Sequence, residues 1–393
     1  MAGLSPEFLL TAACCRWPPS ADRDAAVRMR AATVRWPRFV DVVRRQRVEG
    51  LVHASLAAAR VVAPVEVQRA LAASAAQTAR QNLAFAAESV RLLRLFQEAA
   101  IAIVFVKGIP LSLLAYGTLS VKKSWDIDMA VPPEKVSEAS AILIAAGYRR
   151  MLPSSDIPDS RFGIWMDLCK ESIWRHETSG IVVEMHSGLV DNPMLLPGVT
   201  AGSEQQLVPL GGGAALPTLR KDELFSYLCV HGATHAWSRL KWIADVAALI
   251  KQDDDAELDR LYRASLTIGV GRCSAQALLL CAQLFDRPLP ALLEAELRAD
   301  RTTLWLTRVA LRSMAGAHEA VELDDTVLGT VPIHLSHFAL APGWRYKAAE
   351  ARRKALSPHD RAMLPLPRAL HFLYPLLLVP SWLWRRARGP APT

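Results

Sequence analysis

Between Ala100 and Leu189 the texture of the chain changes, and no other sequence feature limits its fold as strongly. Before Ala100, alanine, leucine and arginine dominate, all strong helix formers. Val67 to Ala100 contains no proline or glycine, enough for one extended helix or two. Leu83, Ala87, Val90, Leu93 and Phe96 recur there at helical spacing, which predicts a packing layer. Ile101 to Val106 then reads as a buried strand, and Leu111 to Tyr116 as a short helix with Pro110 in its first turn. Ser124 to Val131 is a second strand and Glu134 to Ala146 an amphipathic helix stopped by Gly147. Asp167 to Arg175 and Ile181 to Leu189 form a hairpin around His176 to Gly180. Beyond a Pro-, Gly- and Ser-rich stretch at 191–218, helices return over Asp222 to Ile250, Asp255 to Gly269, Arg272 to Phe285 and Leu304 to Ala315. The expected class is α+β, a small mixed sheet embedded between N-terminal and C-terminal helical regions.

The chain has 393 residues, 51% of them hydrophobic and 21% charged, which excludes a disordered polymer and supplies a core without disulfides. Six scattered cysteines without a C-x-x-C pair, behind an N-terminus that lacks a signal-peptide pattern, predict reduced thiols in the cytoplasm. The net charge is +8. Arg345 to Arg388 holds ten Lys/Arg against two acids, so this tail carries the whole excess. The rest is close to neutral, which argues against a long nucleic acid as partner.

The chemistry concentrates at Asp126-Ile127-Asp128. On a strand, residues i and i+2 share a face, so two carboxylates project side by side about 7 Å apart at the backbone. Adjacent anions repel unless a cation joins them, and oxygen ligands of high charge favour Mg²⁺ or Mn²⁺. A solvated strand end is the plain alternative. Lys107-Gly108 lies between the preceding strand and a helix, where backbone N–H groups and an ammonium can meet phosphate. Glu184, in Val182-Val183-Glu184-Met185-His186, is a charged residue inside an apolar strand and needs a partner. If its strand lies beside that of the aspartates, it becomes a third carboxylate of a phosphoryl-transfer site. His186 shares its face.

The ordered set Val106-Lys107-Gly108 to Leu111, Tyr116-Gly117, Asp126 to Val131, Val183 to His186 and His231 to Asp245 resembles the uncharacterised nucleotidyltransferase family of the DNA polymerase β-like superfamily. The resemblance covers roughly residues 80 to 290. It implies a nucleotidyltransferase fold, a small mixed sheet flanked by helices; with the reading along the chain this gives helical regions at 1–99 and 219–340, the nucleotidyltransferase core at 100–190, a loop or linker at 191–218 and a basic tail at 341–393. It implies Asp126 and Asp128 as the metal-binding pair and Glu184 at the third, usually aspartate, position. Lys107-Gly108 stands where many superfamily members have Gly-Ser, and Lys122 or Lys123 where the family tends to have arginine. An NTP is the implied substrate, with Mg²⁺ or Mn²⁺ as cofactor.

His231 and His235 fall four apart on a predicted helix and so share a face. Such a pair can bind zinc, but no third ligand lies between them. Arg239 and Lys241 could face a nucleotide phosphate, and Trp237 or Trp242 could stack on a base, or the rings are core and the cations surface. At the C-terminus, Ala369 to Trp384 gives 16 apolar-rich residues, short for a span and broken by Pro375 and Pro380. Trp382 and Trp384 beside Arg385, Arg386 and Arg388 fit either an interfacial anchor at the inner membrane face or a segment packed on the helical domain. Docking of an acidic acceptor or partner by this basic stretch is a third reading. The expected activity is transfer of a nucleoside monophosphate from an NTP to a small-molecule, saccharide or peptide acceptor. A nucleotide- or peptide-binding module without turnover and a transferase of nucleotide-activated sugar are the alternatives.

Overall fold

The computed structural model describes residues 4–154, 157–323, 329–377 and 380–381. Four helices open the chain: α1 (Pro6–Cys14), α2 (Ala21–Ala31), α3 (Trp36–Gln46) and α4 (Glu49–Ala58). A single long helix follows, α5 (Val65–Glu98). Its buried stripe runs through Asn82, Phe85, Ser89, Leu92 and Phe96, whereas Leu83 is 61% exposed. The expected face is therefore rotated by about one residue, because Asn82 turns inward to bind the loop beyond the next helix.

The sheet unit then comprises β1 (Val104–Phe105), α6 (Ile109–Tyr116), β2 (Ile127–Ala130), α7 (Val136–Ala145), β3 (Tyr148–Leu152), α8 (Phe162–Met166), β4 (Glu171–His176) and β5 (Val182–His186). The spatial order is β1-β2-β5-β4-β3. Only β2 and β5 run parallel; the other three pairings are antiparallel. The mixed sheet between helices agrees with the expected α+β class.

The boundaries differ from the sequence reading in instructive ways. β1 keeps two residues of the expected six, since β2 offers it only Met129 and Ala130 as partners; Ile101 and Ile103 are buried outside the ladder. β3, Tyr-Arg-Arg-Met-Leu, was not expected: it is an edge strand with exposed Arg149 next to Arg150, which is tied to the Pro153 and Ile157 carbonyls, so no apolar alternation marks it. The segment 191–218, expected as loop or linker, contains a hairpin of β6 (Gln205–Gly211) and β7 (Ala214–Leu219) that turns through Gly211 to Gly213. Pro209 and Pro217 mask its strands, a tolerable placement because the two form a sheet of their own, without a central strand.

Nine further helices complete the described chain. They are α9 (Lys221–Thr234), α10 (Leu240–Leu249), α11 (Asp255–Thr267), α12 (Gly271–Phe285), α13 (Ala291–Ala299), α14 (Arg301–Met314), α15 (Val331–Ser336), α16 (Trp344–Ala355) and α17 (Pro358–Met363). The expected run from Asp222 to Ile250 is broken between α9 and α10, where Ala236 and Trp237 adopt positive φ. The ring of Trp237 folds back on Gly232, where an added Cβ would lie 2.3 Å from it, so only glycine fits there.

One hydrophobic cluster unites the N-terminal helices, α6 and the helices from α9 onward. A second lies between α5, α7 and the sheet. The basic segment after 341 is helical at its start, with Tyr346 and Glu350 of α16 buried. Trp382, Trp384, Arg385, Arg386 and Arg388 lie outside the described residues. Among the described residues no helix is long and apolar enough to cross a membrane.

Candidate functional site

The parallel pairing of β2 with β5 sets Ile127 against Val183 and Asp128 against Glu184. Strand alternation then points Asp128, Glu184 and His186 to one face, while Ile127 and Val183 fill the core on the other. Lys107 lies two residues past β1. Its Nζ lies 2.6 Å from Asp128 Oδ1 and 3.8 Å from Glu184 Oε2. Gly108 then turns the chain into α6 at φ +70°, a conformation that favours glycine.

His186 Nε2 lies 3.3 Å from Asp128 Oδ1 and 3.8 Å from Glu184 Oε2. Its Nδ1 faces Glu171 Oε2 at 3.3 Å, and Glu171 is held in turn by Lys170 at 2.8 Å. The imidazole thus lies between Glu171 on one side and the Asp128–Glu184 cluster on the other. Asp126, one residue before β2, is close enough for Asp128 to disfavour its charged form.

Charge is unevenly distributed over these acids. Burial works to raise the Asp128 carboxyl, but Lys107 and the His186 hydrogen bond outweigh it and hold the group well below the usual carboxylate range. Burial and the neighbouring Asp128 push Glu184 up to about 9 and Asp126 up to about 6. One ammonium does not satisfy three converging carboxyls.

That deficit matches the donor chemistry. Asp128, Glu184 and His186 offer ligand atoms within 4.8 Å of one another, the one such group among the described residues. Two carboxylates and an imidazole suit a divalent cation, and the residues present therefore fit one. The expected triad of Asp126, Asp128 and Glu184 is gathered at one place, with His186 rather than Asp126 in the tightest group.

A basic loop closes the other side. Asn82, buried on α5, donates from Nδ2 to the carbonyls of Leu119 and Lys122, both at 2.6 Å, and its Oδ1 accepts from the N–H of Ser124 at 3.3 Å. Lys122 Nζ reaches Asp245 at 3.8 Å, and Tyr116 donates to the same carboxylate at 2.9 Å. Lys123 and Arg47, the residue that ends α3, both lie over the ring of Trp125, at 4.1 and 4.9 Å. Lys241 sits 5.4 Å from the Trp242 ring; burial, then Lys122, Lys107 and Arg47, lower its ammonium to about 7.

His231, in the last turn of α9, and His235, just past it, have rings 4.9 Å apart, and His235 stacks on Trp242 at 4.7 Å. Burial first, and then the nearby lysines, hold both imidazoles neutral, His235 at about 3. Among the described residues no third ligand joins them, so the zinc reading finds no site here. Trp237 is fully buried, as core. Arg239 pairs with Glu322 at 2.6 Å.

Two adjoining hollows contain these groups. A niche of about 90 Å³ is lined by Lys107, Gly108, Lys122, Lys123, Asp126, Asp128 and Lys241, together with Arg47 and Trp125. A cleft of about 890 Å³ continues from it past Glu184, His231, His235 and Arg239. Asp126, Asp128, Glu184, Lys107, Gly108, Lys122, Lys123, His231, His235, Arg239 and Lys241 thus border two adjoining hollows, whereas His186 and Trp237 line neither. The sequence reading missed Arg47, Asn82, Trp125, Lys170 and Glu171. Asn82 shares its buried stripe on α5 with Thr78 and Ser89 and is the one amide among them, a usable signal; Arg47, distant in sequence, gave none.

A sequence model of the family described as uncharacterised nucleotidyltransferase matches residues 32–286, well over half of the chain. No curated protein matches it.

Proposed function

The chain belongs to the uncharacterised nucleotidyltransferase family, and on that premise we propose that it moves a nucleoside monophosphate from an NTP to a hydroxyl or phosphate of a small-molecule, saccharide or peptide acceptor. The observation that carries this reading is the register of Asp128 beside Glu184 on parallel strands, with Lys107 between them. Asp126, Asp128, Glu184 and His186 would hold Mg²⁺ or Mn²⁺. Such an ion, when bound, supplies charge that polarises the phosphate and favours loss of the acceptor's proton.

The chain's own residues have distinct tasks. Lys107, Lys122, Lys123, Lys241 and Arg47 offset triphosphate charge, and Gly108 lets backbone N–H groups approach it. The acceptor oxygen bonds to the α-phosphorus while the bond to the bridging oxygen breaks, and pyrophosphate leaves with that electron pair. Glu184, raised to about 9 in the unbound protein, accepts the acceptor's proton once its own has been displaced. His231, His235 and Trp242 give a neutral, stacked wall against which the substrate is oriented. The unpaired cysteines, five of them buried, support a cytoplasmic setting, and the Trp- and Arg-rich end of the tail remains our candidate for peripheral membrane contact.

The contact of Lys107 with Asp128 favours one second reading, a nucleotide-binding module that does not turn over. Pyrophosphate release with each NTP and Mg²⁺, with pooled acceptors, separates the two. The expected result is metal-dependent release that Asp126→Asn and Glu184→Gln abolish. Full release in Asp126→Asn would count against the assignment, and NTP binding with no release by the wild type would establish the module.

A further inference from the structure

The 890 Å³ cleft is far larger than the niche beside Asp126 and Asp128, and its outer wall comes from the C-terminal basic segment. Within that wall Glu350 is 2% exposed. Arg353 binds it at 2.6 Å and Asn192 at 3.1 Å, and Lys354 lies 3.5 Å away. One buried carboxylate thus holds a guanidinium and an ammonium at the end of α16. The ammonium of Lys354 also reaches the Nδ1 atoms of His337 at 3.1 Å and His334 at 3.4 Å. Lys170, Arg239 and Lys241 also line the cleft.

In all, the cleft is lined by seven Lys/Arg side chains and three carboxylates, Glu171, Glu184 and Asp191. The acids that anchor Arg353, Arg239 and Lys107, namely Glu350, Glu322 and Asp128, do not line it. Arg353 meets Glu350 and His337 through Nε and Nη2, which leaves Nη1 beyond those contacts, and Lys354, held by Glu350, His337 and His334, adds its charge to the cleft, a preorganised arrangement for an oxyanion. The volume suits a small molecule rather than a polymer.

We propose that the outer cleft, lined by Arg353, Lys354 and Lys170, is the acceptor subsite and that it takes an acceptor bearing a phosphate monoester. The word acceptor rests on the nucleotidyl-transfer reading; the phosphate-binding site itself does not. The basic segment of the chain is then, in its described part, a wall of the substrate cleft.

Calorimetric titration of the full chain, free of metal and nucleotide, with glycerol 3-phosphate, inorganic phosphate and glycerol tests this. Glycerol 3-phosphate is expected to bind and glycerol not. Lys354→Gln should weaken the phosphate ester by about tenfold, the scale of one lost charged hydrogen bond, while leaving NTP affinity unchanged. Lys354→Met, measured beside it with circular dichroism as a control of folding, should do the same. Failure of glycerol 3-phosphate to bind, or equal losses of ester and NTP in these variants, overturns the proposal. Because metal is absent from this titration, its outcome is independent of the Asp126→Asn and Glu184→Gln results.

Discussion

The ammonium of Lys107, two residues past β1, lies 2.6 Å from Oδ1 of Asp128 on the neighbouring strand β2, and Asp128 is 1% exposed. A buried carboxylate deprived of its partner costs about 3–5 kcal/mol. Lys107→Met is therefore expected to lower stability by that order, read from urea unfolding. Mg²⁺ should restore more of the melting temperature in this variant than it adds to the wild type, since both cations serve the same carboxylates. An equal Mg²⁺ shift in the two proteins would show that the ion binds elsewhere.

Lys241 should make nucleotide binding pH-dependent. Burial and then its cationic neighbours bring its ammonium to about 7, so the unbound protein holds it part-charged near neutrality. A phosphate beside it favours the charged form, and binding above pH 7 takes up a proton. NTP affinity should fall as pH rises past about 7, by up to about tenfold per pH unit for one coupled proton. Lys241→Met should flatten this fall and bind more weakly at neutral pH. An unchanged slope in the variant would assign the proton to another group.

Asn82 is a positioning residue for the phosphate-facing loop. Three hydrogen bonds tie it to Leu119, Lys122 and Ser124. Asn82→Leu keeps the volume and leaves those loop groups unpaired, at about 1–3 kcal/mol. The expected signature is a rise in KM for NTP with a smaller change in kcat, and Mn²⁺ affinity near that of the wild type. Loss of Mn²⁺ binding to the same degree would mean the whole site had collapsed.

Gly232→Ala tests the turn between α9 and α10. A methyl group there would overlap the buried Trp237 ring at 2.3 Å. Overpacking of this kind costs about 1–3 kcal/mol and would shift His235 and Trp242 together. A lower urea midpoint and weaker NTP binding are expected; an unchanged midpoint would show that the ring has room to move.

The acids were legible in the sequence because strand alternation needs only local information. Asp128 and Glu184 each had to share a face with their i±2 neighbours, whatever the sheet order. The order itself was not legible: β2 and β5 lie more than fifty residues apart, and nothing local says that they pair in parallel. His231 and His235 were correctly read as neighbours, but their burial against Trp242, which keeps them neutral, is a tertiary property. Arg353 and Lys354 were read as part of an outlying basic tail, because charge counting cannot tell a solvated helix from one whose Glu350 is drawn into the body.

The interior that holds Val104, Val106 and Ala130 around the site also contains Phe8 and Leu10 from the first helix and Leu306, Ala310 and Met314 from the fourteenth. Ser5 and Arg38 both bind Glu319, fastening the beginning of the chain to a point far along it. The stretch matched by the family, 32–286, omits the first helix and the fourteenth. A polypeptide cut to that stretch would open its oily centre to water on two sides, and the carboxylates would lose the scaffold that keeps them abreast.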